Sequence, residues 1–129
     1  QTKKLSDCLA ATGFPYEKFD IIDNYFVTLK QLMMNTRGIR RMGSAALDLC
    51  YVACGRFDGF FEYNLNAWDV AGGAVIVKEA GGKVSDFSNG NNFLFGREIL
   101  ATNNYVHEEF IETIAPMKND YKNDMRLPR

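Results

Sequence analysis

The stretch WDVAGGAVIVKEAGG, Trp68 to Gly82, decides the fold of this sequence. Its apolar residues Val70, Ala74 and Val77 recur at three- and four-residue steps, which places them on one face of a helix. The helix is predicted over Trp68 to Ala80, because the pair of glycines that follows is typical of a helix end. A helix with such an apolar face has to pack on another layer of a domain.

Two adjacent glycines, Gly72 and Gly73, lie inside this helix. Glycine normally lowers the stability of a helix interior, so its presence there needs a reason. We expect the pair to mark a close approach of another part of the chain or a surface that faces a ligand.

Further helices and strands are predicted on both sides of this helix. Before it, the apolar patterns and the turn residues predict the strand Cys8 to Thr12, a helix with Phe19, Ile22, Phe26, Leu29 and Met33 on its inner face, the strand Ile39 to Met42, the helix Ala45 to Cys54 between Ser44 as cap and Gly55 as stop, and the strand Phe57 to Glu62. After it, they predict the strands Val84 to Phe87 and Ile99 to Ala101 and the helix Glu108 to Ala115.

The alternation of strands and helices is typical of an α/β layered domain with a mixed β-sheet covered by helices. We assign this domain to residues 1–115 and a polar C-terminal tail to residues 116–129.

The composition narrows the class of function. The chain has 129 residues, 47% of them hydrophobic, and 15 basic against 16 acidic side chains, which is typical of one globular domain. No basic stripe interleaved with aromatic residues occurs, so we expect no nucleic-acid partner, and no apolar run is long enough to predict a membrane helix. A small-molecule ligand is the better expectation.

Three cysteines, an odd number without paired spacing, argue against a disulfide framework and predict a reducing, cytoplasmic location. Cys50 and Cys54 lie four residues apart on a predicted helix and could share a metal, although buried free cysteine is the commoner case. His107 lies in a charged helix and is predicted to be a surface residue.

Two carboxylates are the candidates for chemistry. Glu62 ends a predicted strand and Asp69 begins a predicted helix, which places both where open α/β sheets bind ligands, beyond the carboxyl ends of strands. The amides at a helix start favour an ionised Asp69, which suits a hard cation. The alternatives are that Asp69 only caps its helix and that Glu62 is a solvated strand end.

Other residues near these carboxylates also allow two interpretations. Trp68 either forms the wall of a pocket or packs in the core. Arg40 and Arg41 are either solvated surface charges or contacts to a phosphate or to a partner subunit. Ser44 lacks a nucleophile-elbow pattern and is favoured as a helix cap. Gly43 and the amides of Ser44 and Ala45 could bind a hydroxyl or an anion.

These residues carry a family resemblance. The run Trp68 to Gly82 resembles the C-terminal signature of the inositol monophosphatase family. RRMGSAALDLCYVACGRFDGFFE, Arg40 to Glu62, is similar to the segment that precedes that signature, and ATGFPY, residues 11–16, is similar to the family's bacterial members. The resemblance covers roughly residues 8 to 115.

The resemblance implies a role for each candidate. Asp69 would be a metal ligand supported by Trp68, Glu62 would hold a substrate hydroxyl, and Gly43, Ser44 and Ala45 would contact the polyol. It also implies a Mg²⁺-dependent phosphomonoesterase of inositol or related sugar phosphates, commonly lithium-sensitive and homodimeric, in which metal ions activate water.

The family's N-terminal half normally supplies a paired-glutamate segment and a DPxDGT motif, and neither occurs here. Because one aspartate cannot build a Mg²⁺ site, we expect this chain to be inactive without that half and to expose apolar surface in its absence. The start at Gln1 rather than Met predicts a longer natural protein. The rival interpretation is a non-enzymatic dimerisation or interaction domain with the same fold.

Overall fold

The computed structural model describes residues 2–13, 19–63 and 65–117, with the side chains of residues 19–22 excepted. The predicted turn from Gly13 to Pro15, most of the ATGFPY segment, the inner-face positions Phe19 and Ile22 and the tail beyond residue 117 lie wholly or partly outside this range.

The observed elements follow the predicted order. The strands are β1 (Leu9–Thr12), β2 (Gly38–Arg40), β3 (Gly59–Tyr63), β4 (Lys83–Ser85) and β5 (Glu98–Thr102), and the helices are α1 (Phe19–Asn35), α2 (Ala45–Ala53), α3 (Ala67–Glu79) and α4 (His107–Thr113). A short 3-10 turn, Ala115–Met117, follows α4 and buries Met117 in the core. The folded chain therefore extends at least two residues beyond the predicted domain boundary at residue 115.

The sheet is mixed, as predicted, with strand order β2-β1-β3-β5-β4. Strand β1 pairs in parallel with both β2 and β3, whereas β5 pairs antiparallel with β3 and β4. The carboxyl ends of β1, β2 and β3 therefore meet at one edge of the sheet.

Side chains alternate between the two faces of the sheet and divide the core in two. Ala10 and Phe61 belong to the cluster under α1 and α4, while Ala11 and Phe60 belong to the cluster under α2 and α3. The α/β prediction of a sheet covered by helices is confirmed, with a helical layer on each face. No helix in the part of the chain that the structure describes has the length and apolar character to span a membrane.

The inner face of α1 differs from the predicted one. Tyr25, Thr28 and Leu32 are buried, whereas Phe26 and Met33 are 56% and 71% exposed. Leu29 packs against the core as predicted, but Phe26 and Met33 were assigned wrongly. Apolar residues also occupy the outer side of this helix, so the three- and four-residue spacing fits two neighbouring stripes.

His107 is buried, and its prediction as a surface residue was wrong. It begins α4 on the same side as Phe110 and Ile114, which pack into the core. Its Nε2 lies 2.8 Å from Ser85 Oγ and its Nδ1 lies 2.9 Å from Thr102 Oγ1, so two strand hydroxyls satisfy the ring. Burial, and next the charge of Lys83, lower the pKa of His107 to about 4.

Gly73 fulfils the expectation of a close approach. A Cβ built there would lie 2.6 Å from Leu49 Cδ1 and 2.7 Å from Leu49 Cβ, so the glycine lets α3 pack directly on α2. Gly72 is exposed, and a Cβ there would meet nothing within 4 Å.

His107 should make folding pH-dependent. Between its ordinary pKa of 6.5 and its folded value of about 4, unfolded His107 binds a proton that the folded ring excludes. Stability from this residue is therefore present above pH 6.5 and falls by about 3 kcal/mol towards pH 4. We expect His107→Gln to remove this loss, measured as the difference between wild type and variant in urea unfolding at several pH values. Parallel pH profiles of the two proteins would contradict the assignment.

The two helical glycines should respond in opposite directions to alanine. Gly73→Ala forces a methyl into Leu49 and should lower the free energy of unfolding by about 1–3 kcal/mol. Gly72→Ala, the matched control, adds helix propensity without a clash and should raise it by about 0.5–1 kcal/mol. Chemical denaturation measures both, and equal effects would show that Gly73 is not a packing position.

Candidate active site

A cleft of about 420 Å³ lies at the edge where the parallel strands end. Glu62 comes from the end of β3, Gly13 follows β1, and Arg41 follows β2. The starts of α2 and α3 close the remaining sides. The cleft is thus at the position where open α/β sheets bind ligands.

All six candidate site residues line this cleft: Gly43, Ser44, Ala45, Glu62, Trp68 and Asp69. The structure brings them together from one loop, one strand and two helices. Trp68 is 79% exposed, so the interpretation of this side chain as core packing within the chain was wrong. It stands at the cleft wall beside Asp69.

The start of α2 offers polar groups to the cleft. Gly43 has φ 87°, a left-handed conformation that favours glycine and turns the chain into the helix. Ser44 is the N-cap, as predicted, and its Oγ accepts a hydrogen bond from Leu47 N at 3.3 Å. The positive end of the α2 dipole therefore faces the cleft.

Asp69 lies in the first turn of α3, three residues after the N-cap Asn66. Its Oδ2 accepts a hydrogen bond from Asn66 N at 2.9 Å, so the capping interpretation holds for one oxygen. Within the described residues, Oδ1 has no hydrogen bond. One carboxylate oxygen is therefore held by the helix, and the other is open to a ligand.

Glu62 is half-buried rather than a solvated strand end. A Cβ on Gly13 would lie within 2.7 Å of both Glu62 carboxylate oxygens, so the carboxylate lies directly against that glycine. Burial raises the pKa of Glu62 to about 7, and the charges of Asp48 and Asp69 add to the rise while Arg41 opposes it. A positively charged or hydrogen-bond-donating ligand would favour the ionised form.

Asp48 and Arg41 complete the electrostatics of the cleft. Asp48 is buried one helical turn after Ser44, and its Oδ1 has no hydrogen-bond partner among the described residues. Burial raises the pKa of Asp48 to about 6 against the opposing charge of Arg41. Sequence reasoning did not single out Asp48, although a carboxylate inside the apolar run AALDLCYVA was a usable signal.

The described residues fit one ligand of a hard cation, not a complete site. An open carboxylate oxygen such as Asp69 Oδ1 is the donor that Mg²⁺ prefers. No group of three His, Cys, Asp or Glu side chains able to hold a metal occurs in residues 2–13, 19–63 and 65–117. Cys54 is exposed and Cys50 half-buried, and neither has such a group around it.

Known proteins resemble this chain in sequence over most of its length. A sequence profile described as the inositol monophosphatase family matches residues 1–118. The putative Nus factor SuhB of Neisseria meningitidis is 48% identical over 112 residues, which are 87% of this chain and 43% of that protein. An inositol-1-monophosphatase of Synechocystis is 45% identical over 114 residues, 88% of this chain and 40% of that protein.

A solved structure has the same fold. The inositol monophosphatase of Anabaena superimposes with a TM-score of 0.82 at 40% identity, over 88% of this chain and 45% of that one. This chain spans less than half the length of these relatives.

Glu62 should lower stability when ionised. Because its folded pKa of about 7 lies above the ordinary 4.5, the folded state is penalised above pH 7 and the penalty shrinks as the pH falls towards 4.5. Glu62→Gln should therefore raise the free energy of unfolding by about 1–3 kcal/mol above pH 7 and by almost nothing below pH 4.5. Urea unfolding measures the gain, with the exposed Glu79→Gln as control. A gain that did not depend on pH would refute this origin.

Proposed function

Because this chain belongs to the inositol monophosphatase family, we propose that it is the polyol-binding part of a Mg²⁺-dependent phosphomonoesterase. The substrate is inositol monophosphate or a related sugar phosphate. The single observation that carries this proposal is the cleft, where two helix starts, Glu62 and Asp69 meet at the carboxyl ends of three parallel strands.

Each side of the cleft has a role in this function. Glu62, once ionised, accepts a hydrogen bond from a substrate hydroxyl. Gly43, Ser44 and Ala45 present the start of α2 to the polyol, and the ring of Trp68 limits the space beside them. Asp69 supplies one oxygen ligand to the cation through Oδ1, while its Oδ2 stays on the Asn66 amide.

Magnesium, when bound, would neutralise phosphate charge and activate a water for attack on phosphorus. Asp69 would hold the cation beside the cleft. The remaining ligands have to come from polypeptide outside this chain, since Mg²⁺ binds well only with further carboxylates or substrate phosphate. Alone, the chain is proposed to be inactive.

The exposed apolar side chains support a site that is completed by another part of the protein. Trp68, Val75 and Ile76 form an exposed apolar side of α3, and Phe26 and Met33 form one on α1. We place the missing metal-binding half and a second copy of the protein against such surfaces. Three unpaired cysteines agree with a cytoplasmic enzyme, and lithium sensitivity belongs to the same proposal.

A second candidate is a binding role without catalysis. Several relatives, including those of Neisseria meningitidis and Pseudomonas aeruginosa, are named Nus factor SuhB. Such a protein could keep the fold and act as an interaction domain. The two candidates differ in whether substrate turnover depends on Asp69.

The enzyme proposal is tested with the full-length product of the gene. We expect it to release phosphate from inositol 1-phosphate only with Mg²⁺, and Asp69→Asn to lower kcat/KM roughly 100-fold at fixed Mg²⁺ by removing a metal-ligand charge. Asn at this position still accepts the Asn66 amide, so the fold is retained. Phosphate release and Mg²⁺ titration measure the effect.

Asp58→Asn is the matched control, because Asp58 Oδ2 also accepts a backbone amide, from Leu9 at 2.8 Å, but lies at the opposite end of β1. Its activity should stay near wild type. A full-length protein that hydrolyses no phosphomonoester would favour the binding role, and unchanged Mg²⁺ dependence in Asp69→Asn would remove Asp69 from the site.

A further inference from the structure

Tyr25 joins α1 to the end of β1 through a buried hydroxyl. The side chain is 1% exposed, and its hydroxyl donates to Gly13 O at 2.7 Å. The hydroxyl also lies 3.2 Å from Thr12 Oγ1. Tyr25 therefore holds the backbone where β1 ends.

The ring of Tyr25 is held in place by two aromatic side chains of β3. It packs against Phe61 and Tyr63 of β3, with ring centroids 6.3 and 6.1 Å away. These two residues flank Glu62 in the strand, on the opposite face of the sheet. The ring thus has little freedom to move relative to Glu62.

Gly13 transmits this constraint to Glu62. The carboxylate of Glu62 lies against Gly13, within 2.7 Å of where a Cβ would stand. Gly13 therefore accepts a hydrogen bond from the Tyr25 hydroxyl through its carbonyl oxygen, and its Cα lies against the Glu62 carboxylate. A shift of Gly13 would change the space in which the Glu62 carboxylate rests.

The hydroxyl remains a donor over the physiological range. Burial raises the pKa of Tyr25 to about 12, and the charge of Glu62 adds to the rise. The contact between Tyr25 and Gly13 therefore persists whether Glu62 is ionised or neutral.

We propose that Tyr25 is a positioning residue, which fixes Gly13 so that the Glu62 carboxylate points into the cleft to accept a hydroxyl of the substrate. The inference rests on the proposed function, since it needs a polyol phosphate as substrate. Tyr25 lies on the sheet face opposite α2 and α3, and its proposed role is in recognition of the polyol, not in the chemistry at phosphorus.

The test compares two substrates in the full-length protein. Tyr25→Phe keeps the ring and removes the hydroxyl, so KM for inositol 1-phosphate should rise about 3- to 10-fold, the scale of one hydrogen bond, with kcat within about twofold. KM for 4-nitrophenyl phosphate, which has no polyol hydroxyls, should not change. The exposed Tyr105→Phe is the matched control and should leave both substrates unaffected.

A double variant separates positioning from general loosening. Glu62→Gln should raise KM for inositol 1-phosphate, and adding Tyr25→Phe should raise it no further if the tyrosine acts through Glu62. Additive effects, or equal losses on both substrates, would overturn the inference. So would an unchanged KM in Tyr25→Phe when Glu62→Gln is impaired.

Gly13→Ala is a second variant that acts from the other side of the contact. Its methyl displaces the Glu62 carboxylate and should give the same substrate-selective rise in KM, which keeps the inference testable if Tyr25→Phe folds poorly. If the wild-type protein hydrolyses neither substrate with Mg²⁺, the proposed function fails and this inference fails with it. An active wild type with unselective Tyr25→Phe and Gly13→Ala variants refutes the inference alone.

Discussion

The parallel pairing of β1 with β3 is the constraint on which the site depends. The register Thr12↔Phe61 ends both strands at the same edge and places Gly13 beside Glu62. Parallel strands require a long connection between them, and here helices supply it, so the starts of α2 and α3 arrive at the edge where the strands finish. A register shifted by one residue would move Glu62 to the other face of the sheet and separate it from Asp69.

The same edge gathers charges that a stable fold would avoid. Asp48 and Glu62 have pKa values raised to about 6 and 7, mainly by burial, and Arg41 compensates only in part. The dipoles of α2 and α3 and the charge of Arg41 offset part of the free-energy cost of these buried carboxylates, but not all of it. Carboxylates with raised pKa values are frequent at functional sites, where a bound ligand supplies the compensating charge or hydrogen bonds. By contrast, both ring nitrogens of the buried His107 have a hydrogen-bond partner, which indicates a structural role.

Local patterns and the site motif were readable from the sequence, while contacts across layers were not. The helix predicted over Trp68 to Ala80 and the cap at Ser44 depend on neighbours in the chain, so spacing and residue type predict them. The inner face of α1 and the burial of His107 depend on what packs against them from elsewhere. The strand-end and helix-start positions made Glu62 and Asp69 candidates, and the family resemblance implied their roles. The contact between Tyr25, Gly13 and Glu62 joins three parts of the chain and has no signature in one sequence.

Helix α3 links the fold to the incompleteness of the site. Val70, Gly73 and Val77 bury its inner side, yet Trp68, Val75 and Ile76 make its outer side apolar and exposed. A helix that is apolar all round belongs inside a larger structure, with layers on both sides. Asp69 begins this helix, so a layer packed on the outer side of α3 would bring its own side chains to the open oxygen of Asp69. The apolar pattern of one helix therefore agrees with the proposed division of the site, in which this chain would hold the polyol and one ligand of the cation and another part of the protein would supply the remaining ligands.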